Sequence, residues 1–310
     1  MLQPWSAQAI GGRAGDWRCR VRALDSDQGL MLQAPVAIAA HGSWEVLPSF
    51  RPRRRLTRSA SDLFAFKANF QGAALDEGLL PVLAFDGGYG GMVVGDGGTT
   101  TVAACVRRDR LEACRRALPG LRAGEVVEAL LQRECGGVRD ALRSASRDGA
   151  WLAAGPIDPG IRLRTDDGLL RIGNAAGEAH PIIGEGISMA LQSAWLLCTQ
   201  LLGAEGWVDA TGPAWQREAA HRYALQWRRA FETRLQLAAA FAQLAMRPAA
   251  AVPLVTLARA FPGLLTLGAK MGGKTHCAVT PAAIELLTPR PTRRPATPMA
   301  QAFATPALPG

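Results

Sequence analysis

One segment constrains this 310-residue chain more than any other: IGNAAGEAHPIIGEGISMALQS, residues 172–193. Leu169, Leu170 and Ile172 form a short apolar approach that predicts a strand. A small-residue turn follows, Gly173-Asn174-Ala175-Ala176-Gly177. Pro181 stiffens the loop, and Gly184 and Gly186 stand just before a long apolar run with helical character. Strand, glycine-rich loop and helix start leave backbone N–H groups unpaired at the positive end of a helix, which suits an electron-rich ligand atom. Small residues also let a flat ligand lie against the backbone. An ordinary tight strand-to-helix turn shares this outline, but the density of Gly, Ala and Pro favours the ligand-facing form.

The segment resembles the second flavin-contacting motif of the FAD-dependent monooxygenase and geranylgeranyl-reductase superfamily, the flavoproteins built like p-hydroxybenzoate hydroxylase. That motif runs G-D-A-A-x-x-x-x-P-x-x-G-x-G-x-x-x-A, and Gly173, Ala175, Ala176, Pro181, Gly184, Gly186 and Ala190 match it. The resemblance implies FAD as cofactor. It also implies that Gly173, Asn174, Ala175, Ala176, Pro181, Gly184, Glu185, Gly186 and Ile187 lie against it. The family's acidic residue, which bonds the ribityl chain, is replaced by Asn174. An amide both accepts and donates, so a neutral contact would stand in for a charge-assisted one.

Upstream residues extend the likeness. Residues 17–25 alternate, Gly29 marks a turn, and Leu30–Ala40 reads as one extended run ending in His41-Gly42-Ser43-Trp44. The family carries an apolar strand ending in Asp-Gly-x-x-Ser here. Gly42 matches and joins the expected cofactor contacts, whereas His41 replaces the Asp; a lone His at a strand end is equally an ordinary surface residue. The 131 positions between Gly42 and Gly173 have room for an inserted substrate domain.

Within that interval, residues 62–106 are apolar, β-branched and aromatic runs broken by Gly and Asp, a pattern of successive strands. Gly87-Gly88-Tyr89-Gly90-Gly91 has neither GxGxxG nor Walker spacing and reads as a strand bend. The resemblance implies that this sheet forms the substrate-side wall. Phe66, Lys67, Phe85 and Tyr89 are pocket candidates, with Phe64 and Phe70 beside them. Alternation along a strand turns about half of them away.

The family opens with a strand–helix–strand unit whose GxGxxG seats the FAD pyrophosphate. This chain has no GxGxxG, and Gly11-Gly12-Arg13-Ala14-Gly15 neither follows an evident strand nor precedes an apolar helix. The chain therefore resembles the C-terminal part of a flavoprotein without its ADP-binding half. A fragment, a mis-assigned start and a divergent remnant all fit.

Hydrophobic content of 48% with 20% charged residues excludes a disordered chain. Six cysteines are scattered with no CxxC pair, which points to reduced thiols, a cytoplasmic setting and no metal site. Residues 1–20 lack the long apolar core of a signal peptide. The apolar run Ile187–Ala204 is near spanning length, but its Gln and Ser residues predict a helix packed under the sheet. Residues 213–246 predict a helix pair or one long helix. Its arginines, alternating with Trp and Phe, would serve packing on the flavin domain, peripheral membrane contact or the binding of a lipidic substrate. The net charge is +9, and Arg51, Arg53, Arg54, Arg55 and Arg58 make one dense basic stretch. That stretch reads as a solvated loop or as an attractor for NAD(P)H phosphates or anionic lipid head groups, and no nucleic-acid motif accompanies it.

The resulting expectation is an α/β fold: a partial FAD-binding, Rossmann-like domain with an inserted antiparallel β-sheet substrate domain and a helical C-terminal tail. The expected divisions are a partial FAD-binding piece over 1–45, the insertion over 46–164, the second flavin motif and its helix over 165–205, helices over 206–287 and a disordered end over 288–310. By resemblance the function is that of an FAD-dependent, NAD(P)H-dependent hydroxylase of an aromatic or lipidic phenol. A flavin-dependent reductase of polyprenyl double bonds and a non-catalytic remnant are the alternatives. The residues themselves point to no dedicated acid or base.

Overall fold

The alternation read along residues 62–106 builds a five-stranded antiparallel sheet, and the helices that follow cover one of its faces. The computed structural model describes residues 1–42, 59–202, 212–264 and 266. The Arg51–Arg58 stretch, Ser43-Trp44 and the tail over 288–310 lie outside the described residues.

In chain order, β1 (Trp5–Arg13), β2 (Asp16–Ala23) and β3 (Gly29–Ala34) form an antiparallel meander. Strand β1 was not evident from sequence: Gly11 and Gly12 belong to its end, and Gly15 (φ +91°) helps to close a hairpin. The extended run expected over Leu30–Ala40 is broken at Pro35, which has no N–H to continue a ladder. Its second part, β4 (Ile38–Ala39), joins a different sheet.

Strands β5 (Leu63–Gln71), β6 (Val82–Phe85), β7 (Gly88–Val94) and β8 (Thr100–Arg107) follow. Then come α1 (Arg108–Ala117), α2 (Ala123–Glu134), α3 (Gly136–Ala141) and β9 (Ser146–Ile157). The sheet order is β6-β7-β8-β5-β9. Phe66, Phe70, Phe85 and Met92 pack with Val102 and Val106 against Val126, Val127, Leu130 and Leu131 of α2. At about 1.5–3 kcal/mol per buried side chain, this face is the main stabilising core of the region. The three helices were missed from sequence, although Val126, Val127, Leu130 and Leu131 mark one face of a helix.

The remaining elements are short strands β10 (Gly160–Ile161), β11 (Leu170–Arg171) and β12 (Gly177–Glu178), and helices α4 (Gly186–Leu202), α5 (Pro213–Ala245) and α6 (Pro248–Ala260). Helix α5 is a single helix of 33 residues. Its buried stripe, Tyr223, Trp227, Phe231, Leu235, Ala238 and Ala242, repeats every three or four positions. Helix α4 packs on α5 and on the Gly173 turn, with Met189, Leu197 and Leu201 in one cluster with Leu170 of β11, and leaves Ile187 and Leu191 exposed. No helix among the described residues is long and apolar enough to cross a membrane.

Candidate functional site

The site begins where two strands end side by side. β4 and β11 pair in parallel, Ile38 opposite Leu170 and Ala39 opposite Arg171, and the Ile172 N–H donates to the Ala39 carbonyl at 3.0 Å. Parallel strands deliver the chain to the same side, so His41–Gly42 emerges beside Gly173–Asn174. The crevice outside such strand ends is where open parallel sheets bind ligands. The His41 Nδ1 lies 3.0 Å from the Gly42 carbonyl, a local contact.

The turn that follows is held from three sides. Gly173 adopts φ +57°, the left-handed region that favours glycine, and its N–H donates to Ser193 Oγ of α4 at 2.8 Å. The Arg162 guanidinium donates to the Asn174 carbonyl at 3.1 Å and to the Glu178 carboxylate at 2.6 Å. The Tyr223 hydroxyl of α5 donates to the Arg171 carbonyl at 2.8 Å. Ala175 is buried against Trp17 of the meander, and Ala176 is buried under α5. A Cβ on Gly177 would meet the Trp227 ring at 2.6 Å. Part of the small-residue density is thus set by packing, and the ligand-facing part is narrower than the sequence pattern.

That part is the second half of the segment. Pro181 opens a 3-10 turn that ends in Gly184 at φ +63°, again left-handed. Helix α4 starts at Gly186, and Gly184, Gly186, Ile187 and Ser188 are exposed. A Cβ built on Gly184 or Gly186 meets nothing within 4 Å. Glu185 is turned inward, its carboxylate 3.8 Å from the Arg234 guanidinium of α5, so only its backbone lies along the open side.

The pocket candidates separate by face. Phe66 and Phe85 lie in the helix-covered core, so they stand behind the sheet. Phe70 packs there too, and Phe64 lies partly against the same core. Their side of each strand follows from which face the helices cover, which alternation alone does not say. Lys67 and Tyr89 belong to the other face. Lys67 pairs in register with Ala103 and Leu152, and Ala103 with Gly91, which makes this face an exposed wall of small and aliphatic residues around one lysine. Tyr89 sits at its corner, packed with Leu63, Cys105, Ile157 and the half-buried Ile182 of the glycine-rich segment.

At that corner stands a residue the sequence did not single out. His180 is buried, and its Nδ1 lies 2.9 Å from the Tyr89 hydroxyl. Burial pushes the imidazole down to about 4 and pushes the Tyr89 phenol up. A neutral His180 is therefore part of the native state. The unfolded chain takes up this proton near its usual 6.5, and the folded chain only near 4. Stability is full above pH 6.5 and falls as the pH drops towards 4, by about 3 kcal/mol over the whole window. His180→Asn keeps an acceptor and cannot be protonated, so its denaturant midpoint should fall less between pH 7 and 4. Equal slopes for the two proteins would contradict a buried neutral histidine.

Taken as a receptor for the flavin that the motif implies, the site fits at one end. The exposed backbone at Gly186 and Ile187 leaves room for a flat ring edge, while the Gly184 N–H is taken by the Pro181 carbonyl. For the other end, the region before β4 folds as the β1–β3 meander, with no helix start on which a pyrophosphate would sit among the described residues.

No protein-family model matches the sequence, and no curated protein matches it. Solved structures do share the fold. CmlS, a flavin-dependent halogenase, superposes with a TM-score of 0.59 at 16% identity over 80% of this chain. The flavin-dependent brominase Bmp2 gives 0.59 at 13% over 88%. The myxobacterial chondrochloren halogenase CndH, an FAD-dependent halogenase, gives 0.59 at 18% over 88%. The chain spans 44%, 65% and 63% of those three chains respectively. At such identities the likeness is one of fold: a mixed α/β arrangement shared with FAD-binding flavoenzymes.

Proposed function

We propose that this chain forms the ring side of a flavin site in an FAD-dependent oxidoreductase. One observation carries the reading: the turn that leaves β11 packs on α4, and the start of that helix and the Gly184–Gly186 backbone before it are exposed and unfilled. The flavin dependence of the structural neighbours supports the same chemistry class. In its specific form the reaction is NAD(P)H-dependent hydroxylation of an aromatic or lipidic phenol. The support is the exposed sheet face, where Ala103, Gly91 and Leu152 offer a flat apolar wall and Lys67 an ammonium for a phenolate oxygen.

When bound, the flavin supplies the redox chemistry. The chain's own residues do the rest. The N–H groups of Gly186 and Ile187, at the start of α4, stabilise negative charge that develops on the ring, as any pre-oriented set of backbone donors does. Asn174 orients the polar chain leaving the ring, and the sheet face shields one side of the reacting centre from water. Riboflavin, which carries the ring and ribityl chain alone, tests this directly. Saturable quenching of its fluorescence by the chain is the expected result. Its absence would leave the non-catalytic remnant, which Asn174 and His41 favour, as the reading.

A further inference from the structure

One hydroxyl group joins the two halves of this site. The Tyr89 Oη, on β7 of the sheet, lies 2.9 Å from His180 Nδ1. Ile182, two residues further on, packs in the same cluster as the Tyr89 ring. His180 and Ile182 flank Pro181, so a single phenol straddles the proline that opens the glycine-rich turn. Both rings are buried, 5.4 Å apart at their centroids and inclined by 41°. Either the phenol or Nδ1 can be the donor of this bond, according to the imidazole tautomer. The His180 Nε2 is buried and makes no hydrogen bond among the described residues. The Nδ1 side is therefore the end of this histidine that is tied to another segment.

We infer that Tyr89 and His180 are positioning residues that set the register of the Pro181–Ile187 turn against the substrate-side sheet. The inference rests on the flavin reading for its purpose and stands on geometry for its existence. A phenylalanine at position 89 would fill the same space and keep the packing with Leu63, Cys105 and Ile157. Packing alone does not need a hydroxyl, yet the hydroxyl is where the two segments meet. Gly184, two residues beyond Ile182, is left-handed, and α4 starts two residues later, so a shift at Pro181 is carried directly into the exposed N–H groups. Within the turn, the Gly184 N–H donates to the Pro181 carbonyl at 3.0 Å, and Glu185 faces Arg234 of α5.

The test is amide hydrogen exchange on the full flavin-free chain, followed by riboflavin titration. Tyr89→Phe and His180→Leu should each speed exchange at Ile182 and Gly184 about tenfold or more, while β5 and β8 keep wild-type protection. The double variant should exchange no faster than either single one, because both remove the same contact. His180→Asn places an amide oxygen near the position of Nδ1 and should restore protection. Riboflavin affinity should follow the same order, falling about tenfold in the two disruptive variants and recovering in His180→Asn. Exchange that rises equally in the sheet, or that His180→Asn fails to restore, would overturn the inference and leave a general packing contact. If wild-type chain binds no riboflavin, the flavin reading fails, and the exchange data still decide whether the latch exists.

Discussion

Gly186→Val should leave the chain as stable as wild type and abolish riboflavin binding. The two halves of this expectation come from one observation: a Cβ at Gly186 meets nothing within 4 Å, and the residue does not sit in the left-handed region. A branched side chain there costs the free protein little, on the order of 0.5 kcal/mol for an exposed position. Its methyl groups would occupy the space where a flat ring is to lie. Steric exclusion from a preformed backbone site leaves no alternative pose, so loss of at least a hundredfold in affinity is expected by fluorescence quenching. Gly184→Val is the instructive contrast. Gly184 adopts φ +63°, where a β-branched residue is strained whatever the space, so this variant should lose both stability and binding. Undiminished riboflavin quenching by Gly186→Val would remove the Gly184–Ile187 backbone from the site.

The second large effect concerns the other end of the cofactor. The chain should bind FAD no more tightly than riboflavin, within about threefold, and should emerge from purification colourless. A complete site adds several charge-assisted hydrogen bonds to the pyrophosphate, each worth about 1.5–3 kcal/mol. Two or three of them correspond to roughly two to six powers of ten in affinity. The 310-residue sequence contains no GxGxxG, and its Gly11–Gly15 stretch forms the end of β1 and the hairpin to β2 rather than a helix start. Parallel titrations of FAD and riboflavin measure the difference. Stoichiometric, tightly held FAD on the purified chain would show that another segment grips the pyrophosphate.

Much of the site was legible in sequence because its signals are local. The strand, the glycine-rich turn and the start of α4 lie within about twenty positions, and each is set by propensities of neighbouring residues: small side chains at Gly173 and Gly184, a rigid Pro181 and an apolar helical run. The successive strands over residues 62–106 were legible for the same reason, as was the apolar stripe of α5. Pro35 also lay in plain view, and its power to break the extended run over 30–40 needed no tertiary information.

What tertiary structure alone decided is every relation between distant segments. Alternation along β5 and β6 says that Phe66 and Phe85 share a side with other apolar residues. Only the position of α1–α3 makes that side the core and leaves Lys67 and Tyr89 on the other. The contact of His180 with Tyr89 joins residues 91 positions apart, and neither residue carries a local mark of it. Gly177 reads as part of a ligand loop in sequence and proves to be the gap that admits Trp227. Backbone conformation follows from short-range sterics, which a run of residues carries within itself. Burial and hydrogen-bond partnership depend on which surfaces the folded chain brings together, and that is settled only when the whole chain has packed.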